Sequence, residues 1–291
     1  MIFAITGNTA KDELWPLLDR LITWMKAEGI RFQLHTPIAE RLIKRSLISV
    51  ESAKKKSTDC PSKTATMILS IGGDGTLLHT AYEVVGTSGV PILGINLGYL
   101  GFLADVESSR IQDAFQLLLT GQYNIEERNA LSVLGPCTGW ALNDIVITRQ
   151  PAGGLAAIDV FIDGTRLNRY WGDGLIIATP TGSTAYSLAV GGPIVMPGSN
   201  VVIVSPVAPH SLTVRPIVLP ANSTLTLQLA SKSADCTIAL DGRTFPLSNK
   251  EDSFTICLAD HSIRLVRLND SDYFGTLRSK LSWGMGHQMI H

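Results

Sequence analysis

The chain lacks the features that would mark a secreted, membrane-spanning or nucleic-acid-binding protein. It has four cysteines in 291 residues, Cys60, Cys137, Cys236 and Cys257, and no two stand at CxxC spacing. That excludes a zinc clip and a dithiol redox motif, and free thiols in a reducing cytosol are expected. No apolar run approaches the roughly 18 residues that a membrane-spanning helix needs. The opening residues, MIFAITGNTA, have no basic n-region and too short an apolar stretch for a signal peptide. Charge is scarce and balanced, with a formal net charge of −1, so no global field draws the chain to nucleic acid or to an anionic membrane. The run Lys54-Lys55-Lys56 is local and reads as part of a solvated loop. The six histidines form no HExxH or other tight ligand pair, so any metal is expected to be held by phosphates and a carboxylate. The expectation is a soluble cytoplasmic protein with neither a membrane nor a nucleic acid as partner.

What is present is apolar residue, 45% of the chain, enough for a sizeable core, and the length suits two domains. Residues 1–123 read as alternating strands and helices. MIFAIT suits a buried strand. The segment 11–29 places Leu14, Leu17, Leu18, Leu21, Ile22 and Met25 at helical spacing, with Pro16 in the first turn and Gly29 as the stop. RFQLHT, TMILSI and VPILGIN read as further strands, and PIAERLIKRSL, TLLHTAYEVV and IQDAFQLLLTG as helices. The polar stretch 51–65 reads as a loop. This alternation predicts a doubly wound α/β domain, its mostly parallel sheet covered on both faces. Residues 124–269 instead show short β-rich runs separated by turn residues, among them ALNDIVIT, DGLIIATP, NVVIVSP and CTIALDG, which predict a β-rich, sandwich-like domain. The tail 270–291 is expected to return to the first domain.

The chemistry concentrates at residues 71–76, IGGDGT, where a buried strand ends and a helix begins. Glycines there permit positive φ and a close ligand approach, and the helix N-terminus favours phosphate. A carboxylate in such a place repels phosphate unless a cation or a proton transfer gives it work. Asp74 is therefore read as the group that accepts a proton from a hydroxyl attacking a metal-bound phosphate. His79, five residues on, is close enough to meet a bound phosphate, although a lone histidine more often lies on a helix surface. The spacing matches neither GxGxxG nor GxxxxGK[ST].

A second motif, GDGLIIATPTGSTAYS at 172–187, concentrates hydroxyls before Tyr186. Ser183 or Thr184 would cap a short helix or, with the adjacent amides, bind a ribose, and Tyr186 would lie against a base. Asn143-Asp144 puts polar groups into an apolar strand, as a bulge or turn or as a site reading a sugar or base edge. LDGR, 240–243, reads as an ordinary hairpin turn, and HSLTVRPIVLP, with His210 and Arg215, as loop and strand edge.

GGDGT, LGYLGFLAD, LND, GDGLIIATPTGSTAYSLAVGGPI and RPIVLP, in this order and spacing from about residue 66 to 243, resemble the NAD kinase family. The resemblance implies the two-domain α/β plus β-sandwich fold of that family. It implies transfer of the terminal phosphoryl of ATP, or of inorganic polyphosphate, to the 2′-hydroxyl of NAD's adenosine ribose. A divalent cation, Mg2+, would arrive with ATP. Asp74 would be the proton acceptor and Gly75 would pack against the dinucleotide. Asn143 and Asp144 would hydrogen-bond the ligand, and Asp173 would contact a ribose or the nicotinamide end. Thr184, Ala185, Tyr186, Ser187 and Leu188 would line the adenosine side, with Arg243 in the same binding set. Homodimers or homotetramers would be expected. Four positions depart from the family pattern: Asp144 is one methylene shorter than the usual Glu, Trp171 replaces a basic residue, Arg243 replaces Gln or Asn, and Tyr99 lies at a variable place.

Related glycine turns occur in lipid kinases and phosphofructokinases. The first class should carry an amphipathic basic helix or an anchor, and none is visible; the second should continue with another α/β half, whereas this chain turns β-rich. A dinucleotide sensor without catalysis is the third alternative, against which stands the retention of both the carboxylate and the glycines.

Overall fold

The structure is a computed structural model and describes residues 1–98, 101–151, 154–230, 233–247 and 253–283; Tyr99 lies outside the described residues. The chain forms two compact units, Met1–Glu127 with the stretch from Ile263 onward, and Arg128–Ser262.

The first unit is built on a parallel sheet of β1 (Ile2–Gly7), β2 (Arg31–His35), β3 (Ser57–Thr58), β4 (Met67–Gly72) and β5 (Ile92–Asn96), in the order β3-β2-β1-β4-β5. The short β6 (Val106–Glu107) and Leu265 of the chain's last strand also pair with β5. Every residue of β4 and β5 is buried, as in a strand covered on both faces. Phe3, Ile5, Leu69, Ile71, Leu93 and Ile95 share one apolar cluster with Leu18 of α1 (Leu14–Ala27), Leu42 of α2 (Thr36–Lys44) and Phe115 of α5 (Ile111–Leu119), while α6 (Tyr186–Ala189) lies in the second unit. The alternate positions face the other way. There Ser70 Oγ meets Thr80 Oγ1 at 2.8 Å. Gly94 leaves room for its neighbours, because a Cβ would stand 2.7 Å from Leu77 Cδ1 and 2.6 Å from Ala104 Cα.

One expectation is corrected here. The stretch 51–65 is not all loop, because α3 (Val50–Lys56) begins it. Ser49 Oγ caps this helix by accepting the Ser52 N–H at 3.2 Å. Lys54, Lys55 and Lys56 form its last turn, where cations suit the helix dipole, and the Lys56 ammonium lies 3.8 Å from the centre of the Phe32 ring. With Ala53 its only buried residue, α3 carries no apolar periodicity to signal it. After β4, α4 (Asp74–His79) runs on into a π-helical turn, Thr80–Val85.

The second unit packs two antiparallel sheets. One has six strands: Ile217–Pro220, Val201–Val207, Gly174–Ala178, Asp144–Arg149, Cys236–Leu240 and Arg243–Pro246, in that order across the sheet. The other runs from Thr165–Gly172 through Ala156–Ile162 and Leu225–Leu229 to the first half of the last strand, Ser253–Leu268. Ile145, Ile147, Leu175, Ile177, Val202 and Val204 of the first sheet pack with Ile158, Val160, Leu225, Leu227, Phe254 and Ile256 of the second, a sandwich core. On the outer face of the six-stranded sheet Val146, Ile176, Ala178 and Ile203 are covered by Val190 and Val195. The hydroxyl-rich segment therefore lies across a second apolar face. All four cysteines are free thiols. Among the described residues no helix is long and apolar enough to cross a membrane.

One buried cation ties the first unit together. Arg267, on the last strand, pairs with Asp105 at 2.9 Å and Glu126 at 3.0 Å. It also donates to the carbonyls of Phe102 at 3.0 Å and Leu103 at 3.2 Å. Burial works against its charge, but Asp105 and Glu126 more than offset this and hold the guanidinium above its ordinary range. Arg267→Met strands two acids in a poorly solvated place. It is expected to reduce the free energy of unfolding by about 3–5 kcal/mol, read as a lowered urea midpoint; a loss of less than about 1 kcal/mol would mean that water already compensates those acids.

Candidate active site

In a parallel sheet ordered β3-β2-β1-β4-β5, the chain leaves β1 in one direction and returns to β4 on its other side. The carboxyl ends of β1 and β4 are therefore the switch point, where an open α/β sheet forms its crevice. Gly7 and Asn8 end one strand and Gly72-Gly73-Asp74 the other, joined by Asn8 N–H donating to Ile71 O at 3.0 Å. Asp74 opens α4 at that place.

The glycines of this turn differ in what they do. None of Gly72, Gly73 or Gly75 has a positive φ, so the conformational reason expected for them is corrected. Gly72 is demanded by packing, since a Cβ there would collide with the Thr76 side chain. Thr76 Oγ1 accepts the Gly73 N–H at 3.3 Å. At Gly73 and Gly75 a Cβ would meet nothing within 4 Å. Neither backbone strain nor packing within the chain accounts for these two, and the space over them is open.

Asp74 does not reach idly into solvent. Its Oδ1 accepts the N–H groups of Leu103 and Ala104, both at 3.0 Å, and its Oδ2 accepts that of Phe102 at 2.9 Å. The turn that supplies them closes through Gly101 N–H donating to Ala104 O at 3.0 Å. Gly101 is obligatory there, because a Cβ would overlap Asp74 Oδ1. The carbonyls of Phe102 and Leu103, behind those amides, are the two that Arg267 holds. Oδ1 thus has both lone-pair directions occupied, and Oδ2 keeps one. Lys280, on the terminal helix α7 (Tyr273–Leu281), brings its Nζ to 3.7 Å from Oδ2. His79 ends α4 exposed; burial lowers the pKa of His35, Asp59 opposes that shift and His79 adds to it.

In the second unit three separate sequence motifs meet. Leu142-Asn143-Asp144 is gripped on one side by Thr179, whose hydroxyl donates to Leu142 O at 2.6 Å and whose N–H donates to Asn143 O at 2.9 Å. Gly182 packs so closely there that a Cβ would strike Asn143 O. On the other side Asp241 accepts the N–H groups of Leu142, Asn143 and Asp144 at 2.6, 2.8 and 3.1 Å. Asp241 and Gly242 have φ of 46° and 80°, the two left-handed positions of a tight hairpin turn. LDGR is thus a hairpin turn and also a clamp, a role its sequence did not reveal. The half-buried Asn143 side chain makes no hydrogen bond among the described residues and is available to a ligand.

The hydroxyl-rich loop serves the fold more than expected. Ser183 is fully buried, donating to Pro180 O at 2.7 Å and accepting the Val195 N–H at 3.1 Å. Neither it nor Thr184 caps the short helix Tyr186–Ala189, which corrects that expectation; Ala185 stands at the cap position. Ser187 is buried too, its hydroxyl 3.1 Å from Ser205 Oγ, so it offers a ligand only backbone. Thr184, Ala185 and Leu188 are half-buried, and Tyr186 is exposed as a flat face. Asp173 pairs with Arg149 at 2.6 Å, leaving one carboxylate oxygen outside that bond. Arg243 donates to Leu240 O at 3.1 Å and Trp140 O at 2.7 Å, bracing the hairpin. Trp171 is exposed.

Asp144 and Asp241 form a coupled acidic pair. Burial raises the pKa of Asp241, and the three amides and Arg243 oppose that shift. Burial, with the charge of Asp241, raises Asp144 from 3.8 to about 7. Below neutrality Asp144 therefore carries the proton and can donate a hydrogen bond. The folded state holds that proton between pH 4 and 7 while the unfolded chain has lost it, so this group makes stability fall as pH rises through that window. Asp144→Asn removes the titration. Its melting temperature should exceed that of wild type by a margin that grows from pH 4 to pH 7 and then levels; a margin constant with pH would place Asp144 in a solvated setting.

Known families and structures share the sequence pattern and the fold. Residues 3–123 match the family described as ATP-NAD kinase N-terminal domain, and residues 142–268 match ATP-NAD kinase C-terminal domain. The NAD kinase of Flavobacterium psychrophilum is 36% identical over 293 residues, covering 98% of both chains. That of Bacteroides fragilis is 44% identical over 227 residues, 76% of this chain and 77% of its own. Yeast NADH kinase complexed with NADH superposes with a TM-score of 0.88 at 24% identity, covering 100% of this chain and 90% of that one. An NAD kinase from Archaeoglobus fulgidus in complex with ATP gives 0.72 at 22% identity, covering 96% and 99%. At those identities the two structures establish the shared fold. Both family halves in their order, with a relative aligned along nearly the whole length, show that the chain belongs to the NAD kinase family.

Proposed function

We propose that the protein transfers the terminal phosphoryl of ATP, or of inorganic polyphosphate, to the 2′-hydroxyl of the adenosine ribose of NAD, making NADP. The observation that carries this reading is the state of Asp74. It is a carboxylate at the sheet's switch point, fixed by three amides, with one lone pair of Oδ2 open beside glycines that nothing in the chain requires. A fixed acceptor of this kind can orient a ribose hydroxyl and take its proton as the oxygen attacks phosphorus. The bare backbone of Gly73 and Gly75 lets the nucleotide come close. Among the described residues no group of three or more His, Cys, Asp or Glu side chains could cage a metal ion. The divalent cation, Mg2+, then enters on the phosphates of ATP as part of the substrate and neutralises their charge.

In the second unit the available Asn143 amide and the protonated Asp144 suit hydrogen bonds to the dinucleotide. Asp173 suits a ribose or the nicotinamide end, and Tyr186 an adenine face. Thr184, Ala185, Ser187 and Leu188 contribute the backbone around that base, with Arg243 stiffening the hairpin beneath. His79 belongs to the same reading as a neighbour of bound phosphate, and so do the cytoplasm as location and a homodimer or homotetramer as assembly, the last measurable by sedimentation.

Asp74→Asn keeps the shape and the two hydrogen bonds of the first oxygen but replaces the second with NH2. Turnover of NAD with ATP and Mg2+, followed as NADP by mass, should fall by about 10²- to 10⁴-fold with NAD binding and circular dichroism preserved. A variant keeping more than about a tenth of the wild-type rate would remove Asp74 as the base. Gly75→Ala should leave the melting temperature unchanged while weakening NAD binding; equal binding by both proteins would mean that the open space at Gly75 is not where the ligand comes.

A further inference from the structure

The terminal helix α7 is placed with more care than a packing role requires. Leu277 and Thr276 are buried, and Ser271, just before the helix, donates to Asp105 Oδ2 at 2.9 Å. Tyr273 meets Phe102 with ring centres 6.2 Å apart, and the Lys280 ammonium lies 5.4 Å from the centre of the Phe102 ring. The helix therefore packs on the same turn whose amides hold Asp74, and its last basic residue stands at the carboxylate. Arg278, the other cation of that last turn, is drawn to Asp272 at 3.4 Å. Lys280 Nζ makes no hydrogen bond among the described residues, and 3.7 Å from Asp74 Oδ2 is too long for one. Its side chain is 32% exposed. Three N–H donors on a flexible stem are thus held beside the reacting oxygen and left unspent.

We infer that Lys280 is a catalytic residue that binds the phosphoryl group in transit. The inference rests on the reading of Asp74 as the proton acceptor. A hydroxyl bonded to Oδ2 lies about 2.6–3.2 Å from it, and the phosphorus it attacks lies about 3–3.5 Å further on. The equatorial phosphoryl oxygens then fall within reach of an ammonium anchored 3.7 Å from Oδ2, by rotation of the lysine stem alone. In the step, the ribose 2′-oxygen bonds to the γ-phosphorus. The bond from phosphorus to the bridging oxygen breaks, and its electron pair leaves with ADP. The hydroxyl proton passes to Asp74 Oδ2. Lys280 donates to the phosphoryl oxygens and neutralises their charge, the role that fixed cations play in phosphoryl transfer.

A lysine that merely tuned or held Asp74 would leave a different kinetic trace. Lys280→Met, Lys280→Gln and Lys280→Arg are compared with wild type in the full-length protein. The readouts are kcat and KM for ATP and NAD from pH 6 to 9.5, NAD affinity by calorimetry, and melting temperature. For Met and Gln the expected result is a kcat lower by about 10²- to 10³-fold at every pH, including the alkaline plateau, with NAD affinity within about threefold of wild type. Arg should recover at least a tenth of the rate. A wild-type plateau regained at high pH would overturn the inference, since Lys280 would then act only on the charge state of Asp74. So would a kcat unchanged in Met and Gln, or equal losses in all three variants with a common drop in melting temperature. If wild type itself makes no NADP, the reading of the site fails instead, which separates the two failures.

Discussion

A carboxylate proposed to take a proton from a substrate cannot also be free to wander, and the restraint on this one is a row of main-chain N–H groups. Asp74 is held by Phe102, Leu103 and Ala104. Much of the first unit follows from that. Gly101 is bare because the carboxylate occupies the space of its Cβ. Arg267 is buried because the outward carbonyls of the same turn need a donor, and its own charge is balanced by Asp105 and Glu126. Helix α7 rests against Phe102 and carries Lys280 to the carboxylate. A tight turn with amides on one side and carbonyls on the other is thus braced by an acid in front and a base behind.

The second unit uses the same device for another end. Asp241 also accepts three successive amides, those of Leu142, Asn143 and Asp144. There the carboxylate is the brace and the held segment is the one proposed to meet the dinucleotide. Backbone amides are well suited to this work because they lose no side-chain entropy when fixed and their geometry is set by the turn. The acid beside the clamp, Asp144, becomes the proton carrier of the pair, since one ionised carboxyl in a poorly solvated place opposes a second.

Much of the architecture was legible in the residues. The helical spacing of Leu14, Leu17, Leu18, Leu21, Ile22 and Met25 matches a helix that buries all six. The strand MILSIG and the change to β-rich texture were equally plain, because burial on both faces writes a continuous apolar run and a sandwich writes an alternating one. Helix α3 was not legible, since its stability comes from a Ser49 cap and a basic last turn and not from an apolar stripe. The glycines of GGDGT invited a reading of left-handed backbone that the structure does not have; Gly72 makes room for Thr76, and Gly73 and Gly75 leave open space. The hydroxyls of Ser183 and Ser187 looked available and are spent inside the fold.

The sequence by itself determined the order of elements and the family, because these depend on local periodicity and on short motifs of contiguous residues. Only the tertiary structure decided which oxygen of Asp74 stays open, that Asp241 is a clamp, and that Arg267 and Lys280 belong to the same apparatus. Those facts join residues 28 to 206 positions apart, through contacts of 2.6 to 3.7 Å, and directional contacts at such separations leave no periodic trace in the chain.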